Sequence, residues 1–147
     1  MRVVALHQEN MMTIERHLKS EQLVDLVEYI DMMGYGEGVY KTGPAMVSLP
    51  TDQFFADEVD FKAYAPISVE VDLEENPFDW QETLDIPEAV TETVRFGDEI
   101  NDAYQKILDF LKEKDLPIPE RFFMVFTPIY ADYWVDFIFP IKPIEEK

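Results

Sequence analysis

The chain has 147 residues, 47% hydrophobic and 14% aromatic, which suffices for one packed domain and is too apolar for a chain that stays unfolded. Twelve basic and 31 acidic residues give a net charge of −19, a surface expected to repel nucleic acid and anionic lipid and to attract cations. The lack of cysteine excludes disulfides, thiolate metal sites and a cysteine nucleophile, and two histidines leave little for a histidine-rich metal centre.

The opening RVVALHQ (2–8) is β-branched and ends polar, which predicts a strand. Its apolar run is too short for a signal peptide, and no stretch approaches the ~18 apolar residues of a membrane span. A cytoplasmic protein is the expectation. Residues 20–33 place Leu23, Leu26, Val27, Ile30 and Met33 at helical spacing, with Ser20 as N-cap and Gly34 as the stop. Strands are expected at 40–42, 45–49 and 58–67, the last with Phe61, Ala63 and Ala65 alternating against Lys62 and Tyr64. Residues 70–88 are acidic, contain proline and lack a period, so they read as a connector. A strand follows at 89–96. The strongest helix runs from Asp98 to about Lys114, with Ile100, Ala103, Tyr104, Ile107, Leu108 and Leu111 as its apolar stripe. Two aromatic strands, 121–130 and 132–142, lead to a terminal IEEK read as a solvated tail.

Taken in order, both halves run strand, helix, strand, strand, and they align as an internal repeat. DLVEYIDMMGY (25–35) matches KILDFLKEKDL (106–116), AMVSLP (45–50) matches FMVFTP (123–128), and FKAYAPI (61–67) matches VDFIFPI (135–141). The last match makes Lys62 the counterpart of Asp136. The expected fold is one α+β domain over 1–147: repeat one at about 1–69, the connector at 70–88 and repeat two at about 89–142. Two helices then cover one side of an antiparallel sheet.

The stretch VTETVRFG through VDFIFPI (90–141) resembles the GyrI-like small-molecule-binding domain. That family includes stand-alone gyrase-inhibitor-like proteins and the effector-binding domains of bacterial multidrug-responsive transcription activators. Gly97 stands at the family's turn, Ala103 and Tyr104 at its helix pair, and Val135 to Ile141 at its last strand. Residues 2–67 resemble the companion repeat. The resemblance implies a pseudo-twofold axis and a ligand cleft between the repeats. It also implies an acidic residue on the last strand that often faces a cationic aromatic ligand. Asp136 stands where glutamate is usual, one methylene shorter. No helix-turn-helix precedes the domain, so a DNA-reading regulator is not expected in this chain.

Strand alternation puts Trp134, Asp136 and Ile138 on one face. A carboxylate on such an apolar strand is exposed at an edge, paired internally, or lining a cleft that receives cations. The cleft reading names Asp136, Trp134, Tyr64, Lys62, Phe96 and Tyr40 as ligand-binding residues. The aromatics Tyr40, Tyr64, Phe96, Tyr104, Tyr130 and Trp134 could make a stacking cage for flat or cationic molecules. On this reading the protein binds an aromatic or cationic small molecule and needs no cofactor, metal, nucleic acid or membrane.

Two alternatives stand beside it. One is a hydrolase of strained electrophiles, with Asp136 as general base and Tyr64 or Tyr104 as proton donor. The other is an acidic protein-interaction module that engages gyrase or another partner. His7 and His17 lack carboxylates at ligand spacing. Gly34 to Gly38 follows a helix and lacks the Lys-Ser/Thr of a phosphate loop.

Overall fold

The computed structural model describes residues 1–32, 41–68, 78–97, 99–130 and 132–147. Among them the order is β1 (Arg2–Lys19), α1 (Leu23–Met32), β2 (Ala45–Pro50), β3 (Glu58–Pro66), β4 (Asp79–Arg95), α2 (Ile100–Glu113), β5 (Arg121–Ile129), β6 (Asp132–Pro140) and β7 (Glu145–Glu146). The fold is α+β, strand-helix-strand-strand in each half, and every strand pairing is antiparallel.

The strands run in the order β1-β3-β2-β5-β6-β4-β7, and β1 also pairs with β4. The six longer strands therefore form a closed cycle, which leaves few unpaired edges. Closure depends on the length of β1 and β4. Residues 2–13 of β1 pair with β4, while 11–19 pair with β3. Within β1, Asn10 has a φ of 57°. This left-handed turn, which asparagine tolerates, lets Leu6 and Met11 serve the same small core.

Four expectations need correction. Residues 79–88 are the first half of β4 rather than connector, because Gln81, Leu84 and Ile86 face inward against β1. The tail is not simply solvated, since Glu145 and Glu146 pair with Asp85 and Leu84. Ser20 opens a 3-10 turn, Ser20–Gln22, instead of capping α1, and the Gln22 side chain accepts from the Lys19 amide at 3.0 Å. Of the strand expected at 40–42, Lys41 makes only an isolated bridge to Ile67. Tyr40, Gly34 to Gly38 and most of the remaining connector lie outside the described residues.

Both helices pack on one face of the sheet. Leu23, Leu26, Val27 and Ile30 of α1, and Ala103, Tyr104, Ile107 and Leu111 of α2, are buried there. The strand residues beneath them include Val47, Ala63, Phe122, Met124 and Phe137. The terminal turn of α2 closes on Asp115, at φ 57°, where the Leu116 amide donates to the Leu111 carbonyl at 2.9 Å. The second face carries a smaller core that includes Met11, Met46, Tyr64, Phe123 and Ile138.

The register corrects one repeat alignment. Val47 pairs with Ala63, and Met124 pairs with Phe137. Since Ala63 aligns with Phe137, the counterpart of Val47 is Met124 and not Val125. Matching AMVSLP to FMVFTP is out by one residue, and a one-residue slip reverses the face of every side chain.

Candidate functional site

On the face away from the helices, a cleft of about 1030 Å³ opens where β2, β3 and β5 reach one end of the sheet. Both halves contribute to it. Ser48 to Pro50 and Asp60 to Lys62 come from the first, and Pro119 to Arg121 and Pro140 to Ile144 from the second. Five prolines line it: Pro50, Pro117, Pro119, Pro140 and Pro143. Each fixes its own φ, which narrows the conformations open to the walls.

Behind the lining residues Lys62, Arg121 and Ser48, a polar cluster is built around a carboxylate of the chain itself. Ile144 packs against the small core, and the Glu146 side chain reaches in between β3, β4 and β5. The Tyr64 hydroxyl donates to Glu146 Oε1 at 2.8 Å, and Gln81 Nε2 donates to the same oxygen at 3.3 Å. Arg121 Nη2 pairs with Glu146 Oε2, and Lys62 Nζ stands 3.6 Å from Oε1. Lys62 donates to Gln81 Oε1 at 3.0 Å, and Arg121 Nη1 donates to Ser48 Oγ and to the Tyr64 hydroxyl oxygen at 3.3 Å each. Lys62 also lies 5.0 Å from the centre of the Tyr64 ring.

The shifts follow from this geometry. Burial alone would push the Glu146 carboxyl up, but the Tyr64 hydrogen bond with Arg121 and Lys62 holds it below the usual carboxylate value. Burial pushes the Tyr64 phenol well up, so it stays a protonated donor at neutral pH. Ordering Arg, Lys, Tyr and Gln around one carboxylate is what anion recognition requires.

At the rim, His17 Nδ1 lies 2.6 Å from Asp60 Oδ1. That hydrogen bond raises the His17 pKa above 6.5, against a smaller effect of burial. His17 should therefore titrate above 6.5 by NMR, and Asp60→Asn should bring it back down. Whatever stability the pair lends is complete between the ordinary carboxylate pKa of 3.8 and pH 6.5, and is lost as pH rises through the folded pKa of His17 or falls through that of Asp60. An unchanged His17 titration in Asp60→Asn would refute the contact. Among the described residues, no group of three or more His, Asp and Glu is placed to hold a metal ion.

The expected site residues do not come together in one place. Lys62 lines the cleft, and Tyr64 lies beneath it with its hydroxyl on Glu146. Asp136 is half-buried elsewhere, paired across strands with Thr93 and Val125, and its Oδ1 accepts from the Thr93 hydroxyl. The cleft begins at Pro140, four residues further along β6, or about 13 Å at strand rise. Trp134 is still further from it and 39% exposed. Phe96 packs on Phe126 on the helix side, with ring centres 5.7 Å apart. Tyr104 is helix-side core: its ring stacks on Phe54 at 4.1 Å and its hydroxyl donates to the Thr51 carbonyl at 2.7 Å. Tyr104 thus lies on the opposite face from Asp136, and Tyr64 is separated from it by β2 and β5, so the structure places neither tyrosine of the hydrolase reading beside Asp136.

The sheet explains the split. Lys62 and Asp136 share the helix-free face, and the cleft forms at the Lys62 end. Arg121, Gln81 and Glu146 lie outside the residues expected from sequence: Gln81 sits in the acidic stretch that lacks a period, and Glu146 in the charged terminal IEEK. The proline pairs around 117–119 and 140–143 were the available sign of a stiff rim.

No family model matches the sequence, and no curated protein matches it at a significant level. Solved structures do match in shape. The EcmrR C-terminal domain superposes with a TM-score of 0.69 at 15% identity, over 99% of this chain and 98% of that one. EcmrR in its complex with DNA gives 0.68 at 14% identity, and there the match spans 58% of the longer chain. A protein from Staphylococcus aureus MU50 named as a bacterial transcription regulation protein gives 0.56 at 7% identity, over 97% of both chains. At these identities the likeness is one of architecture: the chain has the fold of the EcmrR C-terminal domain.

Proposed function

We propose that this chain is a ligand-binding domain that takes a small organic molecule into the cleft between its halves. The observation that carries this reading is the cleft itself, about 1030 Å³ with aliphatic and proline walls over a hydrogen-bonded polar cluster. Small-molecule sites are typically concave, largely apolar and furnished with a few convergent polar groups. The resemblance to GyrI-like effector-binding domains and the fold shared with the EcmrR C-terminal domain support it. In EcmrR that fold is part of a longer chain bound to DNA, so a role as the ligand-sensing part of a regulatory system fits. Nucleic acid is not the proposed ligand, given the net charge of −19.

Thermal denaturation with a panel of aromatic acids, amines and neutral compounds tests the reading. A true ligand should raise Tm in a concentration-dependent way, with about 2.7 kcal/mol of stabilisation at a hundredfold excess over Kd. Ile141→Trp, which places an indole at the half-buried cleft wall, should abolish the shift. A panel without any shift, or shifts untouched by Ile141→Trp, would sink the proposal.

A further inference from the structure

Beneath Arg121, Lys62 and Ser48 of the cleft wall, a cluster of hydrogen-bond donors surrounds a carboxylate of the chain itself. Arg121, Tyr64, Gln81 and Lys62 converge on Glu146, and Arg121, Lys62 and Ser48 also line the cleft. Two cations face one carboxylate there, in a protein whose net charge is −19. Lys62 stands 3.6 Å from Glu146, beyond hydrogen-bond distance, and spends its short contact on Gln81. The resident group sits on a short element: β7 is two residues long and, among the described residues, pairs only with Leu84 and Asp85 of β4. The walls leading to this cluster, including Pro119, Ile141 and Pro143, suit the apolar body of an organic acid. Of the acids at the rim, Asp60 is engaged by His17, while Glu15 and Glu120 are exposed and screened by solvent.

Resting on the ligand-binding reading, we infer that the cleft takes organic molecules carrying a carboxylate, and that Glu146 holds the carboxylate position until such a molecule displaces it. A cationic ligand meets Arg121 and Lys62 at the cleft wall and finds the Glu146 oxygens already engaged. This reverses the cationic preference expected for Asp136.

The test compares 2-naphthoate with 2-naphthylmethylammonium, which are close in size and opposite in charge, by titration calorimetry on the full chain. Naphthoate should bind at least about tenfold more tightly. Glu146→Gln keeps the shape and removes the competing charge, so it should tighten naphthoate severalfold. Lys62→Met keeps the aliphatic stem and should weaken naphthoate about tenfold. Displacement has its own signature. The Thr83 and Lys147 amides, which close the β4–β7 pairing, should exchange hydrogen faster when naphthoate is bound and not when the ammonium is added.

Equal or tighter binding of the ammonium compound overturns the inference and leaves the ligand-binding reading standing. So does naphthoate binding that is unmoved by Glu146→Gln and Lys62→Met. Silence of both compounds, together with a blank thermal panel, overturns both readings.

Discussion

Phe122→Ala should lower the unfolding free energy by about 3–5 kcal/mol, the range for removing a buried aromatic ring. Phe122 has no exposed surface and lies at the centre of the aromatic packing under the helices. Its ring is stacked on Phe139 at 4.6 Å and approaches Tyr104 at 5.6 Å and Phe137 at 5.9 Å. These neighbours come from β6 and α2, which have their own backbone constraints, so the space cannot collapse and a cavity remains. Phe122 also ties the halves together, because Leu49 of β2 is its strand partner. Urea denaturation of Phe122→Ala beside Val3→Ala gives the comparison. Val3 is 61% exposed, and its change should stay within about 0.5 kcal/mol. Equal effects at the two positions would contradict the packing described for α2.

Arg121→Met should cost about 1–3 kcal/mol at neutral pH, and the cost should shrink on acidification. The arginine side chain is 28% exposed and that of Glu146 is 27% exposed, so solvent discounts the full penalty of a buried, broken pair. Without the guanidinium, Glu146 keeps the burial that raises its pKa and loses one of the groups that lower it. In the wild type the folded-state pKa of Glu146 lies below its unfolded value. Its contribution is therefore complete above the unfolded pKa, near 4.5, and disappears as pH falls through the folded one. The difference between wild type and Arg121→Met should follow that same window and narrow as pH falls through the folded-state pKa of Glu146. Glu146→Gln in the Arg121→Met background should restore part of the loss, since the stranded charge is gone. A pH-independent difference, or a double variant as unstable as Arg121→Met, would show that Arg121 acts through packing on Phe123 alone.

The α+β class, the two helices and the core strands were legible because their patterns are local. The stripe from Ile100 to Leu111 has helical period, and the alternation of Phe61, Ala63 and Ala65 has strand period, so burial on one face follows from spacing. Tyr104 could be read as helix-side core on the same ground. The second half of β1 and the first half of β4 were less legible. Gln81, Leu84 and Ile86 bury themselves only because β1 runs alongside, and the charged and proline-bearing residues between them conceal the strand.

The site was the least visible part, for a physical reason. Lys62 and Asp136 align in the repeat expected from sequence and face the same side, so chain-local information gives each an equal claim to a cleft. The tertiary structure separates them: Pro140 to Ile144 cross the Lys62 end, while Asp136 is left to the Thr93 hydroxyl. Composition and periodicity by themselves determined an acidic α+β chain with helices on one face of an antiparallel sheet. Only the closed strand order decided which end holds the cleft, because Arg121, Gln81 and Glu146 meet Lys62 and Tyr64 through pairings between distant strands that no local pattern encodes.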